Sequence, residues 1–105
     1  MAGSVAEDAF EGVRFSFRDI DEVSESPEGL RVKGTLFAFL EGEDLVVELP
    51  FARSNDLVAR GIAVKFAVGG QKARNWVRVS DQQLWQELAH EAHEFVGEPA
   101  VGGDS

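Results

Sequence analysis

Leu30-Arg31-Val32-Lys33-Gly34-Thr35-Leu36-Phe37-Ala38-Phe39-Leu40, then Glu41-Gly42-Glu43-Asp44, then Leu45-Val46-Val47-Glu48-Leu49: the reading of residues 30–49 decides the fold. Residues 30–40 read as one long strand, with Leu30, Val32, Leu36, Ala38 and Leu40 on one face. Phe37 and Phe39 make the other face of its second half apolar too, which predicts a central position in a sheet. Residues 41–44 form a short polar link with a glycine, the signature of a hairpin loop, and residues 45–49 return as its second strand.

Working outward, Pro50 cannot donate to a ladder and suits the first turn of a helix. A short helix is predicted over 51–60, stopped by Gly61 in a left-handed conformation. Ile62, Val64, Phe66 and Val68 alternate with Ala63, Lys65 and Ala67, giving a strand. Gly69-Gly70 makes a tight turn, and residues 73–79 return as the last strand. Ser80 reads as an N-cap, with Gln83 completing a capping box. The final helix is predicted over 81–96, with Leu84, Trp85, Leu88, Ala89, Ala92, Phe95 and Val96 on one face.

Towards the N-terminus, residues 21–29 read as a polar loop. Val13, Phe15 and Phe17 alternate with Arg14, Ser16 and Arg18, which predicts a half-buried strand. Residues 1–9 read as a flexible leader with at most a turn of helix over 5–10, and residues 98–105 as a flexible tail. One α+β domain over 10–97 is therefore expected: a mainly antiparallel five-stranded sheet in the order β-β-β-α-β-β-α, with helices packed on one face.

The composition suits that reading. Hydrophobic residues make up 44% of the 105, enough for one core, and eight Phe and two Trp supply much of its bulk. There is no Cys, which excludes disulfides and thiolate chemistry and favours the cytosol for a domain this small. No apolar run approaches the roughly 20 residues needed to span a bilayer, and no membrane partner is expected. The net charge of −9 argues against a general binder of nucleic acid or anionic membranes. The charge is uneven: residues 1–50 hold twelve acids and four bases, residues 51–79 six bases and one acid, and residues 80–105 six acids and neither Lys nor Arg.

The chain resembles the YjbR-like and TfoX N-terminal-like small α+β proteins. Gly34-Thr35-Leu36-Phe37-Ala38, Asp44 to Pro50, Leu57-Val58-Ala59-Arg60-Gly61 and Asn75-Trp76-Val77-Arg78-Val79 carry the likeness, together with the closing amphipathic helix. It covers roughly residues 30–97 and rests on apolar and glycine positions. The resemblance implies a DNA-binding or competence-linked role and no enzymatic activity, catalytic residue or cofactor. Three departures stand out. Members usually carry a long N-terminal helix, where only about ten residues precede Glu11 here. Thr35 and Glu48 stand where basic residues are usual, which removes positive charge.

Few residues suggest chemistry. His90 and His93 are three apart, whereas the zinc-binding His-Glu-x-x-His helix places its histidines four apart, so a solvated helix face with His–Glu pairs is expected and no metal. No Gly-x-Ser-x-Gly elbow is present. Gly69-Gly70-Gln71-Lys72 lacks the spacing of a phosphate loop, and the acids between Asp19 and Glu28 lack the order of a calcium loop. The stretch from Lys72 to Arg78 offers more. As a strand it projects Arg74, Trp76 and Arg78 from one face, with Lys65 extending the patch from the neighbouring strand. Cations flanking an aromatic ring can hold a phosphate backbone and stack a base. The competing reading places Trp76 under arginine stems on an ordinary sheet face. Two functions are thus expected to compete: a nucleic-acid module using Lys65, Lys72, Arg74, Trp76 and Arg78, and an interaction or adaptor domain whose acidic helix and loop face a basic protein.

Overall fold

A computed structural model of the chain describes residues 5–66 and 75–97. The described elements are α1 (Val5–Ser16), β1 (Val23–Ser26), β2 (Gly29–Val32), β3 (Thr35–Glu41), β4 (Asp44–Glu48), α2 (Phe51–Ala59), β5 (Ala63–Phe66), β6 (Trp76–Val79) and α3 (Trp85–Gly97). The strands form one sheet in the order β1-β2-β3-β4-β6-β5, antiparallel throughout. The α+β class and the antiparallel sheet are as expected. The sheet has six strands rather than five, and two local features account for the difference. The predicted turn at 69–70, the first part of the predicted 73–79 strand and the tail over 98–105 lie outside the described residues.

The first feature is α1. Residues 13–17 are its last turn and its exit, and do not form a strand. Ala6, Phe10, Val13 and Phe17 are buried at helical spacing, and Phe15, which the alternating reading placed with them, is 63% exposed. A stripe repeating every three or four residues over twelve positions outweighs an alternation spanning five. The leader expected over 1–9 gives way to helix at Val5.

The second feature is the break in the predicted 30–40 strand. Lys33 and Gly34 have φ of 53° and 86° and form a two-residue hairpin turn of the primed kind, whose twist matches its flanking strands. Lys33 is anchored there, its Nζ lying 3.1 Å from the Gly97 carbonyl at the end of α3 and 3.5 Å from Glu22. The polar stretch before it closes back as β1, with Val23 opposite Val32 and Ser26 opposite Gly29.

Between β2 and β3 the register shifts: Leu30 faces Ala38, and Arg31 faces Leu36. Phe37 is the extra residue of a β-bulge. Both Phe37 and Ala38 are fully buried in the helix-side core, and beyond them the alternation is inverted. Phe39 therefore points to the reverse face, where its ring centroid lies 5.5 Å from that of Trp76 and 6.1 Å from that of Phe66. Gly29 makes room for the bulge. It has φ of 151°, and a Cβ there would lie 2.4 Å from both the Ala38 carbonyl oxygen and the Phe39 Cβ.

All three helices cover one face of the sheet. Their buried residues join Leu45, Val47, Leu49, Val77 and Val79 in a single cluster. The indole of Trp85 donates to the Val79 carbonyl at 3.0 Å, fixing the start of α3 against the end of β6. The cap before it is Asp81 rather than Ser80: its carboxylate accepts from the Gln83 amide and closes a 3-10 turn over Gln82–Leu84. Phe95, expected on the core face of α3, is 40% exposed.

Leu88→Ala is expected to remove about 2–5 kcal/mol of stability, read from the urea midpoint, because Leu88 is buried in the centre of α3. Gly29→Ala is expected to cost more than Gly42→Ala. Both sit at positive φ, but a side chain at Gly42 enters open space, so Gly29→Ala adds an overpacking cost of about 1–3 kcal/mol.

Candidate functional site

On the reverse face, Phe39, Val46, Arg78 and Val64 form one cross-strand row, and Glu48, Trp76 and Phe66 the next. Trp76 is 1% exposed, so its ring offers no surface on which a base could stack. The Arg78 guanidinium lies over the Phe66 ring, 5.4 Å from its centroid, and its Nε donates to Asp44 at 2.9 Å. Lys65 is opposite Val77, a core residue, so its side chain leaves the other face of the sheet; there its Nζ lies 5.6 Å from the Phe51 ring centroid. Lys72 and Arg74 lie outside the described residues. Of the expected nucleic-acid patch, the structure thus brings Trp76 and Arg78 together and separates Lys65 from them. The Arg78–Asp44 pair has no signal in the local sequence, because the partners meet only across the β4–β6 register.

The two histidines do not lie on a solvated face. The His90 ring stacks on Phe17, with centroids 4.1 Å apart and an interplanar angle of 14°. Its Nε2 is 3.0 Å from the Ser16 hydroxyl. Ser16 Oγ donates to the Val13 carbonyl at 2.6 Å, so His90 supplies the proton in the histidine–serine bond. A serine whose proton is held by a carbonyl is not poised as a nucleophile. His93 packs edge-on to Phe37 at 5.7 Å, and its buried Nε2 has no hydrogen-bond partner among the described residues. Burial, and next the neighbouring His93, hold the His90 pKa below its ordinary value, against an opposing pull from Glu94. Reading residues 5–16 as a helix is the signal that would have revealed this cluster. It puts Gly12 beside Gln86 and Ser16 beside His90 along the α1–α3 seam.

The acidic residues converge. A cleft of about 350 Å³ opens between α1 and the β1–β2 hairpin, walled by Glu7, Glu11, Glu25 and Glu28 and floored by Phe10 and Leu40. Among the described residues, Arg14 is the one cation in its lining; it contacts Glu11 and lies 3.6 Å from Glu25. The Arg31 side chain, followed by the residue's own backbone N–H, holds the Glu28 carboxyl below the usual carboxylate range. On the opposite side of the helical layer, Arg53 ties α2 to α3 by a two-pronged bond to Glu91, at 2.9 and 3.0 Å. Glu91 is also the main cause of the raised Arg53 pKa. Among the described residues no three His, Asp or Glu side chains converge in a way that could hold a metal ion, and no helix is long and apolar enough to cross a membrane.

No protein-family model, curated protein or solved structure matches the chain.

Because Trp76 is enclosed by the reverse-face cluster, Trp76→Ala is expected to lower stability by about 3–5 kcal/mol in urea unfolding. A variant as stable as the parent would show the ring to be a free surface group.

Proposed function

We propose that this domain is a non-enzymatic interaction module whose acidic cleft receives a basic segment of a protein partner. The observation that carries the reading is the wall of four glutamates around an apolar floor, with Arg14 the one cation among its described lining residues and Arg31 paired to Glu28 at its edge. Such a site suits a lysine or arginine, with the aliphatic stem lying on Phe10 and Leu40 and the charged head among the carboxylates. Attraction of this kind speeds association and sets partner choice more than it sets affinity. The same field opposes phosphate, and the burial of Trp76 removes stacking as a source of compensation. The absence of cysteine suits a cytosolic setting.

The resemblance to the YjbR-like and TfoX N-terminal-like proteins is kept as part of this proposal at the level of architecture. Helix α1, of twelve residues, stands where those proteins carry a long N-terminal helix. Thr35 and Glu48 still lack the basic charge that their DNA-binding role implies.

The test is fluorescence anisotropy at low salt with a labelled peptide alternating lysine and leucine, and with single- and double-stranded oligonucleotides. The peptide is expected to bind and the oligonucleotides not. The Glu7→Lys, Glu25→Lys double variant is expected to weaken peptide binding about tenfold, which corresponds to about 1.4 kcal/mol. Asp56→Lys, on α2 and away from the cleft, should leave binding unchanged. Oligonucleotide binding by the parent, or peptide binding indifferent to the double variant, would overturn the proposal.

A further inference from the structure

The acidic cleft depends on the position of α1, and α1 is held to α3 by a contact that can take up protons. Glu7, Glu11 and Arg14 line the cleft from α1. At the far end of the same helix, Ser16 and the adjoining Phe17 meet His90 and His93. We propose that this contact is a proton-sensitive latch: with neutral His90 it strengthens the hold of α3 on α1 and helps keep the cleft assembled, and with protonated His90 that hold weakens. The proposal rests on the reading of the cleft as the partner site.

The physical case begins with what surrounds the imidazoles. From α1 they meet the Ser16 hydroxyl and the Phe17 ring, and from β3 the Phe37 ring. The titratable groups that act on His90 are His93 and Glu94, both on α3. Since His90 Nε2 already donates to Ser16, the incoming proton goes to Nδ1. Two effects favour the resulting cation, the charge of Glu94 and cation–π contact with Phe17; two oppose it, burial and the like charge that His93 would carry. The opposing pair prevails, as the lowered pKa of His90 records.

The sign follows. With α1 released, His90 recovers an ordinary value near 6.5. The released state therefore binds more protons than the latched one as the pH falls from about 6.5 into the lowered range of the latched state. The latch weakens over that interval and regains strength as the pH rises. Between about pH 7.5 and pH 5.5 one histidine can contribute a factor of at most about ten. Glutamates, with ordinary values near 4.3, remain largely ionised at pH 5.5, so the charge of the cleft is a minor variable there.

The experiment uses the full chain in two arms. In the first, hydrogen exchange of the free protein is compared at about pH 7.5 and pH 5.5, corrected for intrinsic rates. Protection of α1 relative to β4 is expected to fall several-fold on acidification, by at most about tenfold for His90. His90→Gln retains a donor to Ser16 and cannot titrate, so it should reduce the fall. An NMR titration of the parent imidazoles needs no variant, and the histidine midpoint should coincide with the loss of α1 protection. In the second arm the lysine–leucine peptide should bind more tightly at the higher pH, by a factor that shrinks in His90→Gln. Peptide that fails to bind at pH 7.5 overturns the cleft reading and the coupling with it. Peptide that binds while α1 protection is equal at both pH values, or histidines that titrate without any change in α1 protection, overturns the latch alone.

Discussion

The bulge at Phe37 sets the arrangement of both layers. A regular β3 would send Phe37 and Phe39 to the same face of the sheet. The extra residue lets Phe37 and Ala38 both enter the helix-side core and turns Phe39 to the reverse side. Phe37 then meets Phe17 edge-on at 5.4 Å and gives the exit of α1 and His93 on α3 a common aromatic floor. Phe39 closes over Trp76 behind the sheet. Gly29 is the residue that tolerates this, since any side chain there would collide with the Phe39 backbone and Cβ.

The two faces differ in what they leave for function. Behind the sheet, aromatic burial encloses Trp76 and Asp44 pairs with Arg78; Trp76 and Arg78 are two of the residues expected to form a nucleic-acid surface. In front, the helices bring separated acids together. Glu7 and Glu11 come from α1, and Glu25 and Glu28 from the hairpin across from it. Four carboxylates at one opening repel one another, and Arg14 and Arg31 offset part of that repulsion. A cationic partner would offset more, which is the energetic ground for reading the cleft as a docking site.

Much of this architecture is legible in the sequence. The β3–β4 hairpin, α2 and α3 follow from periodicity and from glycine and proline punctuation. The N-terminal half is harder because two periods overlap there: Val13 and Phe17 belong both to an apparent alternation and to the helical stripe from Ala6. The Lys33-Gly34 turn is hidden because lysine seldom adopts the left-handed conformation, and here it is held there with help from α3. The bulge has no compositional mark beyond Gly29. The acidic charge is visible from composition, but its convergence is not, since it requires α1 to be a helix and 23–26 to be a strand. Trp76 and Arg78 do share a face as the alternation predicts; what alternation omits is how deeply a neighbouring strand covers them.

The most direct measurement is a set of nuclear Overhauser contacts from the Phe37 and Phe39 rings, which a straight strand and a bulged one distribute differently. The bulge requires disjoint partners: Phe37 with Phe17 and His93 on the helix side, and Phe39 with Trp76 and Phe66 behind the sheet. That pattern is the expected result. Phe37 and Phe39 both in contact with His93, or both with Trp76, would mean an unbulged β3 and would contradict the placement of the α1–α3 seam and the cleft built on it.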